Sequence, residues 1–325
     1  MCLLTYIESN SDEACIHHWE RRINMSATTI TQEDKTILPA GRRTEFRQLL
    51  KRRSDPDKSR VMNMPILFAV LVSAADIIVA GILGAVFGLE GVIADLIVTT
   101  LPVILIALTA KIRFRNNFKL GFGPEGMGEA LRCSSIVIFG ALLIFAYNLI
   151  AGTEMAFTPR TIIVSICTGI GAGVSEEVLY RGLLCNDMML AWHDKKNGIY
   201  LSAVVSSLFF GAMHMTNAFY TGFTLGLMIQ VILAVSMGFL FAAIYLRSGN
   251  LWGVILAHTI WDIAGLVITS GTAANSVEAI ISNVNNVTAA SAVLNLGVAM
   301  ISIMTGLYLL RPCRHDSVRE RWNAA

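Results

Sequence analysis

The sequence predicts an all-α fold, a polytopic membrane helix bundle of about eight transmembrane helices with both termini cytoplasmic. Hydrophobic residues make up 54% of the chain and charged residues only 15%, whereas a soluble domain carries about 25% charged residues. From Met64 onward, long apolar runs approach or exceed the roughly 20 residues that cross a bilayer. Lys and Arg gather in alternate loops, which is typical of the cytoplasmic side of a membrane protein.

Eight apolar segments are candidates for these helices. They run over 64–88, 91–110, 133–152, 161–184, 199–214, 222–246, 250–270 and 288–310. Basic residues precede the first span and follow the second, fourth, sixth and eighth, while the segment 271–287 has no Lys or Arg. Because every basic loop then lies on one side, the pattern predicts that both termini are cytoplasmic.

Three regions follow from this division of the chain. Residues 1–62 are polar and charged, and we expect them to form a partly disordered cytoplasmic tail. Residues 63–311 form the membrane domain, and residues 312–325 form a second cytoplasmic tail. The net charge of +2 gives no basis for nucleic-acid binding, so the expected partner is the lipid bilayer.

Ionisable residues inside membrane helices are costly, and each is therefore a functional hypothesis. Asp76 and Asp95 each stand alone, and we interpret them as packing or loop positions. Glu177 and Arg181 are four residues apart and share a helical face, which predicts a structural ion pair. Glu176 points about 100° away from that face, so it needs a partner from another helix and suits the role of a general base.

Two histidines lie in other apolar segments. His214 follows Phe210 by four residues, so the phenyl ring can pack beneath the imidazole. His258 precedes Asp262 by four residues, so the carboxylate can hold one ring nitrogen and leave the other free. Each histidine taken alone is also consistent with a structural hydrogen bond between helices.

The acidic and histidine side chains can converge on one polar cavity. Two interpretations of the chemistry of such a site are then possible. A glutamate, two histidines and an acidic partner are sufficient to activate a water and to stabilise an oxyanion. Glu176, His214 and His258 could equally bind one zinc ion, although the H-E-x-x-H motif is absent. The residues leave the metal-dependent and metal-free alternatives open.

The three patterns E-E-x-x-x-R, F-x-x-x-H and H-x-x-x-D/N, each in its own apolar helix, resemble the CPBP family. This family contains CAAX proteases and bacteriocin-processing enzymes and is also called Abi. The resemblance covers about residues 120–270. It implies an intramembrane endopeptidase in which Glu176 and His214 activate the water. By the same resemblance, His258 and Asp262 stabilise the oxyanion, and Glu177 and Arg181 orient the site.

The resemblance implies a peptide or protein substrate, either prenylated or of the bacteriocin-leader type, and we expect the plasma membrane as the location. Asp262 stands where the family can carry Asn, and an ionised Asp must be protonated before it donates to an oxyanion. Two other classes of function stay open. One is a transporter or proton-coupled carrier that uses the same Glu and His groups as a relay, and the other is a non-catalytic immunity or scaffold protein.

Overall fold

The computed structural model describes residues 64–87, 97, 100–108, 120–150, 158–269, 281 and 284–323, and all regular elements within these ranges are helical. The predicted tail over 1–62, part of the predicted second span and most of 271–287 lie outside the described residues. In chain order the helices are α1 (Pro65–Phe87), α2 (Met127–Ile150), α3 (Pro159–Glu177), a π-helical segment (Val178–Cys185), α4 (Asn186–Trp192), α5 (Gly198–His214), a short 3₁₀ turn (Met215–Asn217), α6 (Ala218–Thr221), α7 (Leu225–Ser248), α8 (Leu251–Thr269), α9 (Ala289–Leu309), a second 3₁₀ turn (Pro312–Arg314) and α10 (His315–Asn323).

Five helical stretches among the described residues are long and apolar enough to cross a membrane. They are Met127–Ile150, Thr161–Trp192, Gly198–Thr221, Leu225–Ser248 and Ala289–Leu309, with shorter apolar helices over Pro65–Val79 and Leu251–Val267. The prediction of an all-α polytopic membrane bundle is therefore confirmed, and the protein is an integral membrane protein. The total of eight spans, the cytoplasmic position of the termini and the plasma membrane stay predictions.

Several helices are longer than the apolar runs that predict them. The third predicted span begins at Met127, since Glu129 in its first turn accepts a hydrogen bond of 2.7 Å from Arg247 Nε. The fourth continues beyond residue 184 to Trp192. The fifth continues beyond residue 214 to Thr221 through a 3₁₀ turn.

A π-helical segment joins α3 to α4 within one continuous helix. At its end the Asn186 N–H donates to the carbonyl of Arg181, five residues back, as well as to that of Leu183. All eight residues of the segment are buried, including Arg181. Such π turns inside α-helices are frequent at functional sites, and this one follows directly after the two glutamates.

Two glycines bring α3 close to α8. A Cβ built on Gly169 would lie 2.7 Å from Ile263 Cγ1, and one built on Gly173 would overlap Thr259 Oγ1. Small residues spaced in this way allow the backbones of two membrane helices to approach each other. The close approach places the end of α3, with its glutamates, beside the part of α8 that carries His258.

We expect Gly173→Ala to destabilise the protein by about 1–3 kcal/mol, because the added methyl group must push α8 away. Gly265→Ala in α8 is the matched control, since a Cβ there has no atom within 4 Å. Alanine is also the better helix former, so the control should be neutral or slightly stabilising. Thermal unfolding in detergent micelles measures both, and an equal loss in the two variants would contradict this account of the contact.

The start of α8 is held by the chain segment around residues 120–126. The side chain of Asn250 donates to the carbonyls of Gly123 (2.8 Å) and Glu125 (3.0 Å) and accepts from the Gly253 N–H (2.9 Å). Because Asn250 is fully buried, these three bonds satisfy polar groups that water does not reach. They fix the entry of the helix that carries His258.

The C-terminal helix α10 packs against the ends of other helices. The indole N–H of Trp322 donates to Asn186 Oδ1 at 2.8 Å, at the end of the π-helical segment. Arg321 Nη1 donates to the carbonyl of Arg247 (2.6 Å), and Arg319 Nε donates to that of His193 (3.1 Å). Two guanidinium groups thus satisfy carbonyls at the C-terminal ends of α7 and α4.

Candidate functional site

Glu177 is the residue that joins the two sides of the candidate site. Its Oε1 accepts a hydrogen bond of 2.8 Å from Arg181 Nη1 and lies 2.7 Å from His258 Nδ1. Glu177 is 0% and Arg181 1% exposed, so the predicted ion pair is present and lies entirely inside the protein. The second carboxylate oxygen of Glu177 is buried and has no hydrogen-bond partner among the described residues.

The guanidinium of Arg181 is held on several sides. Its Nη2 donates to the carbonyl of Gly238 in α7 at 3.0 Å, and its Cζ lies 4.6 Å from the ring centroid of Phe210 and 5.4 Å from that of Phe241. A Cβ on Gly238 would lie 2.9 Å from Phe210 Cδ1 and 3.3 Å from Arg181 Nη2. Glycine at this position therefore leaves the space that both side chains occupy.

His258 makes different contacts at its two ring nitrogens. Nδ1 meets Glu177, whereas Nε2 lies 3.6 Å from Glu176 Oε2 and 3.4 Å from Asp262 Oδ2. The expectation that Asp262 holds one nitrogen and leaves the other free is therefore corrected. Glu177 fixes the ring from α3, because the glycine contact brings that helix close, and Asp262 shares the outer nitrogen with Glu176.

The two adjacent glutamates differ in access. The side chain of Glu176 is 31% exposed and that of Asp262 is 24% exposed, while Glu177 is sealed. A carboxylate that activates water must be reachable by water, and one that orients a ring need not be. The geometry is consistent with Glu176 as the base and Glu177 as the residue that orients His258.

His214 and His258 both pack against the aromatic ring of Phe210. The ring centroid of Phe210 is 4.9 Å from that of His214 and 6.0 Å from that of His258, edge-on to both. His214 Nδ1 lies 3.0 Å from the Phe210 carbonyl, so in the neutral ring this nitrogen donates and Nε2 can accept. The helical path continues beyond His214 to Thr221, so this histidine is not at the far end of its span as the apolar run indicates.

Sequence reasoning did not identify three residues beside the site. Phe241 stacks on the ring of His258 with centroids 4.9 Å apart, and Tyr180 packs edge-on against Phe210 at 5.1 Å. Asp76 of α1, which we interpreted as a packing position, interacts electrostatically with Glu176 and with Tyr180. The spacing of four between Glu176 and Tyr180 is a usable signal, whereas nothing in the sequence relates Asp76 to residues a hundred positions away.

The zinc alternative requires three ligands that face one point. Among the residues described, no group of three or more His, Cys, Asp or Glu side chains is arranged to hold a metal ion. Glu176, His214 and His258 do not fit a three-ligand site as they stand. The use of a metal stays a prediction that follows from the residue types alone.

Comparison with known proteins shows which protein family this part of the chain resembles. Residues 158–264 match the family model described as type II CAAX prenyl endopeptidase Rce1-like, which confirms the resemblance inferred from the three motifs. No curated protein and no solved structure matches the chain. All six residues of the candidate site lie inside the matched range. Over residues 158–264 the chain is thus similar to the Rce1-like type II CAAX prenyl endopeptidases, a family of proteases.

Proposed function

We propose that the protein is an intramembrane endopeptidase that hydrolyses a peptide bond at or within the membrane by means of a water activated by Glu176. One observation carries the proposal. His258 is held at Nδ1 by Glu177, and its Nε2 faces both Glu176 and Asp262 at 3.4–3.6 Å. Hydrolysis of an amide requires a proton donor and a reachable carboxylate that act together, and the contacts of His258 with Glu176 support this assignment.

Glu176 is assigned the proton transfers. Its carboxylate takes a proton from the attacking water as the oxygen bonds to the carbonyl carbon, and the carbonyl oxygen becomes an oxyanion. Glu176 then delivers that proton to the amide nitrogen as the C–N bond breaks. The products are a new carboxyl group and a new amine, and the carboxylate of Glu176 is regenerated.

His258 is assigned the oxyanion. A carboxylate oxygen only accepts hydrogen bonds, and carboxylates face both ring nitrogens, so the imidazolium is the form in which every contact is favourable. Its Nε2–H can pass from Asp262 and Glu176 to the oxyanion as that charge develops. Asp262 then acts by supporting the cation of His258, which requires no protonated Asp262.

We assign to His214 the role of positioning the attacking water. With Nδ1–H committed to the carbonyl of Phe210, Nε2 can accept a hydrogen bond from the water that Glu176 deprotonates. Phe210 holds both histidines in place, and Arg181 beneath the same ring supports it. These roles follow the family pattern and are consistent with the contacts of each side chain.

The test is cleavage by the purified protein in detergent micelles. Paired peptides with and without a prenylated cysteine near the C-terminus, and a leader-type peptide, are incubated with it, and the products are identified by mass spectrometry. A preparation of Glu176→Gln from the same cells gives the background from contaminating proteases. We expect at least one peptide to be cut only by the wild type, and equal product from both preparations across all peptides would overturn the proposal.

The same assay with a chelator tests whether cleavage requires a metal ion. We expect the cleavage rate to be unchanged within twofold after dialysis against the chelator, because the proposed steps use only the side chains of this site. A loss of cleavage that added zinc restores would contradict the metal-free steps and would leave the peptidase activity itself established. Among the peptides, preferential cleavage of the prenylated member of a pair would identify the substrate class.

A further inference from the structure

Several arginines gather near one carboxylate at one end of the bundle. Arg247, Arg314 and Arg321 interact electrostatically with Glu129, and Arg311 interacts with Arg314. We call these five residues the arginine cluster. Arg247 Nε and Arg321 Nη2 lie 2.7 Å and 3.9 Å from the carboxylate oxygens of Glu129. Arg321 also donates to the backbone carbonyl of Arg247 at 2.6 Å. Four positive charges against one negative charge leave this cluster with an excess of positive charge.

Arg314 is the member of the cluster that has, within the described part of the chain, a buried hydrogen-bond donor without an acceptor. Its Nε is buried and has no hydrogen-bond partner among the described residues. Burial lowers the pKa of Arg314 below its ordinary value, and the positive charges of Arg247 and Arg311 lower it further, while Glu129 opposes them. A buried donor without an acceptor is destabilising, and an anion among these guanidinium groups would supply the missing acceptor.

The position of the cluster indicates which anion is available. Glu129 lies in the first turn of α2, Arg247 in the last turn of α7, and Arg311 directly beyond the end of α9. These helices are candidate membrane spans, so we expect their ends at the level of the lipid head groups. Phosphate esters are the anions concentrated at that level, and a guanidinium binds phosphate oxygens through two parallel hydrogen bonds.

We propose that the arginine cluster is a binding site for a phosphate group, with the head group of an anionic phospholipid as the source that its position favours. A zwitterionic lipid would bring a positive charge to a site that is already positive, so anionic lipid is preferred. Because Arg321 belongs to α10 and Arg247 to α7, a phosphate bound there also holds the C-terminal helix against the bundle.

The experiment measures thermal unfolding of the full chain in detergent micelles, which requires no peptidase activity. The protein is titrated with phosphatidylglycerol, phosphatidylcholine or inorganic phosphate, and lipid retention is followed by native mass spectrometry. We expect phosphatidylglycerol to raise the unfolding temperature and to be retained, and phosphatidylcholine to have little effect. Inorganic phosphate that acts as strongly as the lipid would overturn the lipid source and keep the phosphate site.

Arg314→Gln should weaken the apparent affinity for phosphatidylglycerol about tenfold, the effect of one lost charge-assisted hydrogen bond. Arg319→Gln, also in α10, is the matched control, because its guanidinium donates to carbonyls near His193 outside the cluster. If Arg314→Gln does not fold, Arg311→Gln takes its place. Equal responses to the two lipids in the wild type, or equal affinities in the cluster variant and the control, would overturn the proposal.

Discussion

Glu176→Gln should lower kcat/KM for a cleaved peptide by about 10²–10⁴-fold, the contribution of a general base, and should leave the fold intact. The glutamine has nearly the same shape but takes no proton from water. The side chain of Glu176 is partly exposed, and its carboxylate lies 3.6 Å from His258 Nε2. The neutral amide of the glutamine therefore does not deprive a buried charge of a close partner. The measurements are kcat/KM in detergent micelles and the thermal unfolding temperature of the same preparation.

Two comparisons make this result specific. Glu320→Gln is the same chemical change on an exposed face of α10, and it should keep wild-type kcat/KM. Glu177→Gln should lower the unfolding temperature, because it removes the negative charge that Arg181 and His258 both contact. Cleavage by Glu176→Gln within tenfold of the wild-type rate would exclude Glu176 as the base, whatever the other residues do.

Arg181→Met is expected to destabilise the fold by about 3–5 kcal/mol, the cost of removing one partner of a buried ion pair. Glu177 is fully buried, and Arg181 is the permanently charged cation that contacts it. The substitution also removes the bond to the carbonyl of Gly238. Thermal unfolding in micelles, together with the yield of monodisperse protein, measures the loss.

A second substitution separates charge from shape. Arg181→Met combined with Glu177→Gln removes both charges, so the double variant should be more stable than Arg181→Met alone although it carries one more change. Arg319→Met, at a partly exposed position of α10, gives the reference for losing an arginine that caps carbonyls. A double variant less stable than Arg181→Met would show that packing of the guanidinium, and not its charge, dominates.

Local patterns in the sequence predict the parts of the site that lie on one helix. The spacing of four gives the Glu177–Arg181 ion pair and the contact of Phe210 with His214, because residues at that spacing lie on one face of a helix. Apolar content and the alternation of basic loops give the all-α membrane fold. The helix boundaries are less well predicted, since paired charges such as Glu129 with Arg247 extend a helix beyond its apolar run.

Contacts between distant parts of the chain could not be predicted in this way. Glu177 and His258 are 81 residues apart, and their contact depends on the close approach of α3 and α8 at Gly173. Glycine in an apolar run does not reveal which helix it faces. The π-helical segment is also invisible to hydrophobic periodicity, because it is buried on every side and has no polar face to mark its turn.

The continuous helix from Thr161 to Trp192 has a consequence for access to the site. Its 32 residues extend for roughly 45 Å, whereas the hydrocarbon layer is about 30 Å thick, so the helix must tilt strongly or project into the aqueous phase. Glu176 is near its midpoint, roughly 20 Å from either end. In the proposed reaction the scissile bond and the attacking water must both reach this position, so their delivery becomes a step that can set the turnover rate.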